Sequence, residues 1–265
     1  MEGCHSLKTI KISLNKEKNI GKVLIIVEGL KTEPYLLHKI FSGMFDFQFE
    51  VYNRMEKYRK YNEKEDITSS IFVINTQESA ISHIANDEYL DNIYNKLIEE
   101  YQFPVDRATI FYIFDRDVRS NTNREFIEKL ILSLGNSREN KEFNRAGLFL
   151  LSYPCIESFV ASNFIPNSFE LEFEKGEDDL KNYLQTKKIN QCKICEDSLK
   201  LAVKEMEKMF CEIGITEHDL DDFAPENLKV FNFQEQLYAE KSKYKLLSLL
   251  SIVLLDLGMV QIEEV

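Results

Sequence analysis

The sequence is poor in the residues that interrupt structure and has no apolar segment of membrane-spanning length. It contains five prolines and nine glycines in 265 residues, and 44% of its residues are hydrophobic, which excludes a disordered or collagen-like chain. The longest apolar run, residues 246–255, includes two serines and falls short of the roughly 20 residues that cross a bilayer. The N-terminus lacks a signal-peptide pattern, so we expect a cytoplasmic protein that does not associate with a membrane.

The sequence also lacks several signatures of covalent and nucleotide chemistry. Its five cysteines are an odd and scattered set, which does not indicate a disulfide framework: Cys4, Cys155, Cys192, Cys195 and Cys211. There is no Gly-x-Ser-x-Gly elbow and no glycine-rich phosphate loop. We therefore expect that this chain does not hydrolyse ATP itself.

The net charge of −12 is unevenly distributed along the chain. Residues 1–145 carry 23 acids and 21 bases, whereas residues 146–265 carry 22 acids and 12 bases. All eight arginines lie in the first part: Arg54, Arg59, Arg107, Arg116, Arg119, Arg124, Arg138 and Arg145. Because the planar arginine side chain matches phosphate and carboxylate groups, this segregation suggests that the first part handles anions. Chance clustering in a chain whose second half uses lysine explains the pattern equally well.

Short β-branched or aromatic runs alternate with helical spacing from residue 23 onward, which predicts an α/β fold with a mostly parallel sheet flanked by helices. Strands are predicted at residues 23–27, 47–52, 71–75, 109–114 and 147–151, with an edge strand at 9–14. Helices are predicted at residues 32–41, 78–101 and 122–134.

After Pro154 the pattern becomes mainly helical. Helices are predicted at residues 156–163, 178–186, 197–213 and 233–257. The acidic stretch 166–177 suggests a boundary between a catalytic domain, residues 1–165, and an acidic, mainly helical C-terminal region, residues 166–265. The last predicted helix is apolar nearly all round, which indicates either burial or a partner chain that covers it.

Acidic residues follow three separate predicted strands. Glu28 ends the first strong strand and precedes Gly29, whereas Asp115 and Asp117 follow the fourth. Glu157 follows the fifth strand and a proline, in what would be the first turn of a helix. Each acid has an ordinary explanation as an acidic turn or a helix-start residue. Together, however, parallel strands would gather them at one edge of the sheet, where a cation such as Mg²⁺ would offset their repulsion.

The strings around these acids resemble a known family. Glu28-Gly29 after one strand and Asp115-Arg116-Asp117 after another resemble the TOPRIM fold shared by topoisomerases, primases and the overcoming-lysogenization-defect nucleases. The longer strings 27–35, 114–117 and 152–159 resemble the RloB and AbiL-like branch of TOPRIM proteins from prokaryotic antiviral systems, which includes the nuclease component of the PARIS system. The resemblance covers roughly residues 20–165.

The resemblance implies a metal-dependent phosphodiesterase. It implies that Glu28, Asp115 and Asp117 bind Mg²⁺ or Mn²⁺, that Glu28 can also act as a general acid or base, and that Glu157 and Lys31 belong to the catalytic centre. Two features depart from the branch. The interval between Glu28 and the aspartates is longer than in a minimal TOPRIM domain, and Phe159 stands where branch members often have tryptophan.

Nucleic acid is the substrate that this activity would act on, and several basic residues are candidates to bind it. Arg116 and Arg119 lie beside the aspartates. Arg54 and Arg59 lie in the stretch 52–64, which mixes basic residues with tyrosines and suits a single strand or an RNA loop. A solvated surface segment explains that stretch at least as well.

The function expected from the sequence is therefore a metal-dependent endonuclease, with RNA (including tRNA) ahead of DNA as substrate, that serves as a toxic effector in anti-phage defence. An ABC-type or AAA-type ATPase sensor is its expected partner, and homodimer formation is left open. The alternative is a regulatory TOPRIM-like module that docks on the ATPase and has no nuclease activity. The acidic second part and the apolar final helix are the features that suggest this alternative.

Overall fold

The computed structural model describes residues 10–29, 31–51, 58–63, 68–76, 81–84, 87–117, 122–138, 147–173 and 177–264. The strands of these residues are β1 Ile10–Leu14, β2 Lys22–Val27, β3 Gln48–Val51, β4 Tyr58–Asn62, β5 Ser70–Asn75, β6 Thr109–Asp115, β7 Gly135–Asn136, β8 Gly147–Tyr153, β9 Glu172–Phe173, β10 Tyr244–Lys245, β11 Leu247–Ser248 and β12 Val260–Glu264. The α-helices are α1 Thr32–Met44, α2 Asp87–Tyr101, α3 Arg124–Ser133, α4 Glu157–Ser162, α5 Glu177–Thr186, α6 Glu196–Glu212, α7 Ala224–Lys241 and α8 Leu250–Asp256.

The main sheet has the strand order β11-β8-β6-β2-β5-β4-β3, and β7 pairs with β8. Strand β2 is parallel to both β5 and β6, whereas the pairs β5–β4, β4–β3 and β8–β11 are antiparallel. The prediction of an α/β fold is therefore confirmed, with a mixed sheet that is parallel at its centre.

The chain divides into two compact units. We call residues 19–114 and 118–150 the sheet unit, and residues 1–18, 115–117 and 151–265 the terminal unit. Strands β6 and β8 begin in the sheet unit, and their last residues belong to the terminal unit. These units do not follow the division after residue 165 that the sequence suggests, because the terminal unit includes the Asp-Arg-Asp segment and the end of β8.

The core of the sheet unit forms on the central strands. The side chains of residues 23–27 in β2 and of all six residues in β5 are buried. A strand that is covered on both faces requires apolar residues at successive positions, which is why these strands could be predicted as continuous apolar runs. Helix α1 adds Leu36, Ile40 and Phe41 to this core.

The terminal unit is built from α4 to α8 and from short strand pairs. Strand β1 pairs antiparallel with β12, and β9 pairs with β10. The predicted strand at residues 9–14 thus exists, although its partner is β12 and not the main sheet. Large apolar side chains from three helices form the unit's core, among them Phe159, Phe210 and Ile252.

The prediction of one long final helix at residues 233–257 is wrong. Helix α7 begins nine residues earlier, at Ala224, and ends at Lys241, and Ser242 then adopts a left-handed conformation with φ of 55°. Strands β10 and β11 follow before α8 begins at Leu250. The apolar residues Leu250, Ile252 and Leu254 are at most 1% exposed, so the chain itself covers them.

The prediction of a helix at residues 78–101 is correct from Asp87 onward, where α2 begins. Residues 81–83 form a 3₁₀ turn, and residues 77–80 and 85–86 lie outside the described part. Among the described residues, no helix combines the length and the apolar character that a bilayer crossing requires.

Candidate metal centre

Asp115 is the last residue of β6. The six residues before it are buried, whereas Asp115 is half-buried at the strand end. Its Oδ1 accepts a hydrogen bond of 2.7 Å from the backbone N–H of Ile156. This bond holds the Asp115 carboxylate beside the segment that joins β8 to α4.

The second acidic residue, Glu157, is the first residue of α4, which agrees with its predicted place in the first turn of a helix. The peptide bond between Tyr153 and Pro154 is cis. Ser158 fixes the turn because its hydroxyl donates to the Tyr153 carbonyl at 2.6 Å and its N–H donates to the Cys155 carbonyl at 2.9 Å. The turn places the Cys155 and Glu157 side chains in a defined position after β8.

Ser152, two residues before Pro154, lies inside β8 and is fully buried. Its hydroxyl is 2.8 Å from the hydroxyl of Ser248 in β11, the strand that pairs with the end of β8. Ser152 therefore links two strands.

Asp115, Cys155 and Glu157 form a cluster in which one ligand atom of each residue lies within 4.8 Å of the others. Glu157 is 8% exposed. Its Oε1 is 3.7 Å from the Lys181 ammonium, and its Oε2 is buried and has no hydrogen-bond partner among the described residues. A buried carboxylate oxygen without a partner is costly, and a second carboxylate close by increases that cost. A divalent cation between the two carboxylates would satisfy both.

Of the predicted acids, Asp115 and Glu157 lie in this cluster. Asp117 is half-buried in the terminal unit and is not a member of the group that the described residues form. Glu28 is half-buried and follows β2 in the sheet unit, where the parallel register with β6 pairs Val27 with Ile113. The complete ligand set of Glu28, Asp115 and Asp117 stays a prediction.

The turn after Glu28 is shaped by Glu33. Glu33 is 5% exposed, and its Oε1 accepts a hydrogen bond of 3.0 Å from the backbone N–H of Gly29. A Cβ atom at residue 29 would collide with the Glu33 carboxylate, so a larger residue here would force that carboxylate to move. Lys31 is exposed and directly precedes α1.

The prediction that Arg116 binds phosphate conflicts with its position. Arg116 is 3% exposed, and its Nε and Nη2 donate to Glu235 Oε1 and Oε2 at 2.8 and 2.9 Å. Burial disfavours the charged guanidinium, but the hydrogen bond and the charge of Glu235 outweigh this effect and raise the pKa of Arg116 above its ordinary value. A guanidinium that is buried and paired in this way has an internal partner in α7 instead of a substrate.

The basic and aromatic stretch 52–64 is only partly described. Arg54 and Arg119 lie outside the described residues. Arg59 is half-buried in β4, a strand that the sequence analysis missed. Tyr58 and Tyr61 are 8% and 0% exposed, and burial raises the pKa of each to about 12. These two tyrosines are core residues, which contradicts the expectation that they stack on bases.

Three residues near the acids were not predicted to take part. Cys155 belongs to the cluster, Lys181 approaches Glu157, and Glu235 binds Arg116. Cys155 could have been found from its position two residues before Glu157. Lys181 and Glu235 come from distant helices and carry no local signal.

Comparisons with known proteins give no assignment: no protein-family model, no curated protein and no solved structure matches this chain.

Proposed function

We propose that this chain is a metal-dependent phosphodiesterase that cleaves nucleic acid, with RNA ahead of DNA as substrate, and serves as an effector in anti-phage defence. The observation that carries the proposal is the buried Glu157 Oε2, which has no hydrogen-bond partner among the described residues and belongs to a cluster with Asp115. A divalent cation would supply the partner that this buried oxygen lacks.

The donor set fits a hard divalent cation. Asp115 and Glu157 offer carboxylate oxygens, which Mg²⁺ and Mn²⁺ prefer, whereas the thiol of Cys155 is a poor ligand for either ion. We therefore assign the two carboxylates as ligands. A cation bound there supplies the positive charge that stabilises phosphoryl oxygens and activates water.

Neighbouring groups contact one oxygen of each carboxylate. The N–H of Ile156 donates a hydrogen bond to Asp115 Oδ1, and the Lys181 ammonium lies beside Glu157 Oε1. These contacts orient each carboxylate through one oxygen. In the proposal, Asp117 of the same unit joins this acidic set, and the role of Glu28, which lies in the sheet unit, rests on the TOPRIM resemblance alone.

The exposed Lys31 is the cation that we propose for phosphate binding in the turn after β2. Arg116 is withdrawn from that role because it is buried against Glu235. The proposal that RNA is preferred to DNA rests on the resemblance, since Tyr58 and Tyr61 are core residues. The ATPase partner rests on the resemblance as well.

The alternative of a regulatory docking module loses one of its two supports. The apolar residues that suggested a surface for a partner are buried inside the terminal unit. The acidic charge of the second part is then the remaining feature that suggests docking, and it gives no reason for the carboxylate cluster. We therefore favour the enzyme.

A cleavage assay tests the proposal. Purified full-length protein is incubated with labelled RNA or DNA and with Mg²⁺, Mn²⁺ or EDTA. We expect cation-dependent cleavage that Asp115→Asn and Glu157→Gln each reduce by about 10- to 100-fold or more. The matched control is Glu263→Gln, because Glu263 is an exposed acid of the same unit that pairs with Lys11.

The control variant is expected to cleave as the wild type does. Cleavage that persists in EDTA, or equal activity in the wild type and both cluster variants, would contradict the proposed metal centre. Absence of cleavage of both nucleic acids with both cations would contradict the proposed activity.

A further inference from the structure

The turn that carries the two aspartates is tied to helix α7 by a buried ion pair. Arg116 and Glu235 are 3% and 8% exposed, and two hydrogen bonds of 2.8 and 2.9 Å join the guanidinium to the carboxylate. Both residues belong to the terminal unit. They are separated by 119 positions in the sequence, so the pair links distant segments.

A tyrosine extends this pair toward the second acidic segment. The Tyr244 hydroxyl donates to Glu235 Oε1 at 2.9 Å, and its ring lies edge-on to Tyr153 with centroids 5.7 Å apart. Tyr153 directly precedes the Pro154 turn that leads to Cys155 and Glu157. The backbone N–H of Arg116 also donates to the Ser152 carbonyl at 2.9 Å. One network thus contacts both segments that supply the clustered carboxylates.

Stability alone is a weak reason for such a network. Moving two charges out of water is costly, and replacement of a buried ion pair by apolar residues is often neutral or stabilising. A buried pair has a clearer use where it fixes one geometry, because its bidentate hydrogen bonds tolerate little displacement. Here the residue that it fixes is the direct neighbour of Asp115 and of Asp117.

We infer that Glu235 is a positioning residue for the divalent-cation site: through Arg116 and Tyr244 it holds the 115–117 turn and the end of β8 in the geometry that lets Asp115 and Glu157 share one cation. The inference rests on the proposed function. It gives the C-terminal region a role in holding the cation site, because Glu235 and Tyr244 both come from that region.

The first test compares metal affinity with stability in the full-length protein. Mn²⁺ binding is measured by the electron paramagnetic resonance signal of free Mn²⁺, and thermal unfolding is measured without cation. We expect Glu235→Gln to weaken Mn²⁺ binding about 10- to 100-fold, the range for residues that orient metal ligands. The matched control is Glu205→Gln, which breaks another ion pair of the same unit, between the buried Glu205 carboxylate and the half-buried Lys208 at 2.7 Å.

Glu205→Gln is expected to lower the melting temperature and to leave the Mn²⁺ affinity within about twofold of the wild type, because the bonds of Glu205 go to Ser168 and Lys208, neither of which lies in the 115–117 turn or at the end of β8. Equal Mn²⁺ affinity in wild type and Glu235→Gln would overturn the inference and leave the proposed function standing. A wild type that binds no Mn²⁺ would overturn both.

Two further variants keep the test decisive if Glu235→Gln does not fold. The double variant Arg116→Met/Glu235→Leu leaves no unpaired buried charge, so it should fold, with a loss of stability limited to what the buried Tyr244 hydroxyl costs without its acceptor. We expect its Mn²⁺ affinity to fall about tenfold or more, because the bidentate restraint is gone. Tyr244→Phe removes one hydroxyl and should weaken Mn²⁺ binding less. A stable double variant with wild-type Mn²⁺ affinity would overturn the inference.

Discussion

Neutralising Glu157 should make the cation-free protein more stable. One oxygen of each carboxylate lies within 4.8 Å of the other, and two unit charges at that distance repel each other by about 3.5 kcal/mol in an effective dielectric of about 20. The Ile156 N–H and the Lys181 ammonium reduce this cost, and Asp115 is only half-buried. We therefore expect Glu157→Gln to raise the free energy of unfolding by about 1–2 kcal/mol, which is roughly 2–8 °C in melting temperature.

Bound Mn²⁺ should reverse this order of stability and make the wild type more stable than Glu157→Gln. A ligand at 100 times its dissociation constant stabilises the folded protein by about 2.7 kcal/mol, and the variant should lose most of this gain. The assay is thermal unfolding followed by circular dichroism, in EDTA and in excess Mn²⁺, with Glu263→Gln as the control for general effects of Mn²⁺ on acidic surfaces. A Glu157→Gln variant that is less stable than the wild type in EDTA, or that gains as much from Mn²⁺, would refute this reasoning.

Three other changes have expected outcomes. Gly29→Ala forces the Glu33 carboxylate away from the turn, and we expect denaturant titration to show a loss of about 1–3 kcal/mol. Phe159→Ala removes a 1% exposed side chain from the core and should cost about 3–5 kcal/mol in the same measurement, with a smaller loss contradicting tight packing there. Burial raises the pKa of Glu207 from 4.5 to about 7, so the folded protein retains a proton that the unfolded chain releases, and wild-type stability should fall between about pH 4.5 and 7. Glu207→Gln should abolish that fall, which reaches at most about 3 kcal/mol, and stability curves of equal slope would contradict the assignment.

The central strands could be predicted from the sequence because a strand buried on both faces requires apolar residues at successive positions. Residues 23–27 and 71–74 are continuous apolar runs, and the observed β2 and β5 each begin one residue before the predicted strands 23–27 and 71–75. Strand β4 could not be predicted in this way, since its sequence Tyr-Arg-Lys-Tyr-Asn is basic and polar and its place in the sheet depends on pairing with β5. Strand pairing is a tertiary property that local residue types indicate weakly.

The end of α7 is a second feature that the sequence did not predict. Residues 246–255 are apolar almost throughout, and an apolar run is equally compatible with one long helix or with two short strands followed by a helix. The break depends on Ser242, which adopts a left-handed conformation that serine rarely takes. No glycine or proline signals that break.

The residues of the candidate site also differ in how well the sequence predicts their positions. Asp115 and Glu157 could be placed together because each follows a strand of one predicted sheet, and the structure brings both into one cluster. Arg116 was assigned to phosphate because it lies beside aspartates, yet its partner is Glu235 in α7. No sequence spacing predicts an ion pair between distant segments, so the burial of Arg116 against Glu235 could not be predicted.

The central claim is that Asp115 and Glu157 jointly hold a divalent cation. Its most direct test is anomalous diffraction from crystals of the wild-type protein soaked in Mn²⁺, compared with crystals of Glu157→Gln. We predict a strong anomalous peak at coordination distance, about 2.0–2.3 Å, from both an Asp115 oxygen and Glu157 Oε2, and a weakened or absent peak in the variant. Wild-type crystals with Mn²⁺ bound elsewhere, and with Glu157 Oε2 remaining without any ligand, would contradict the claim.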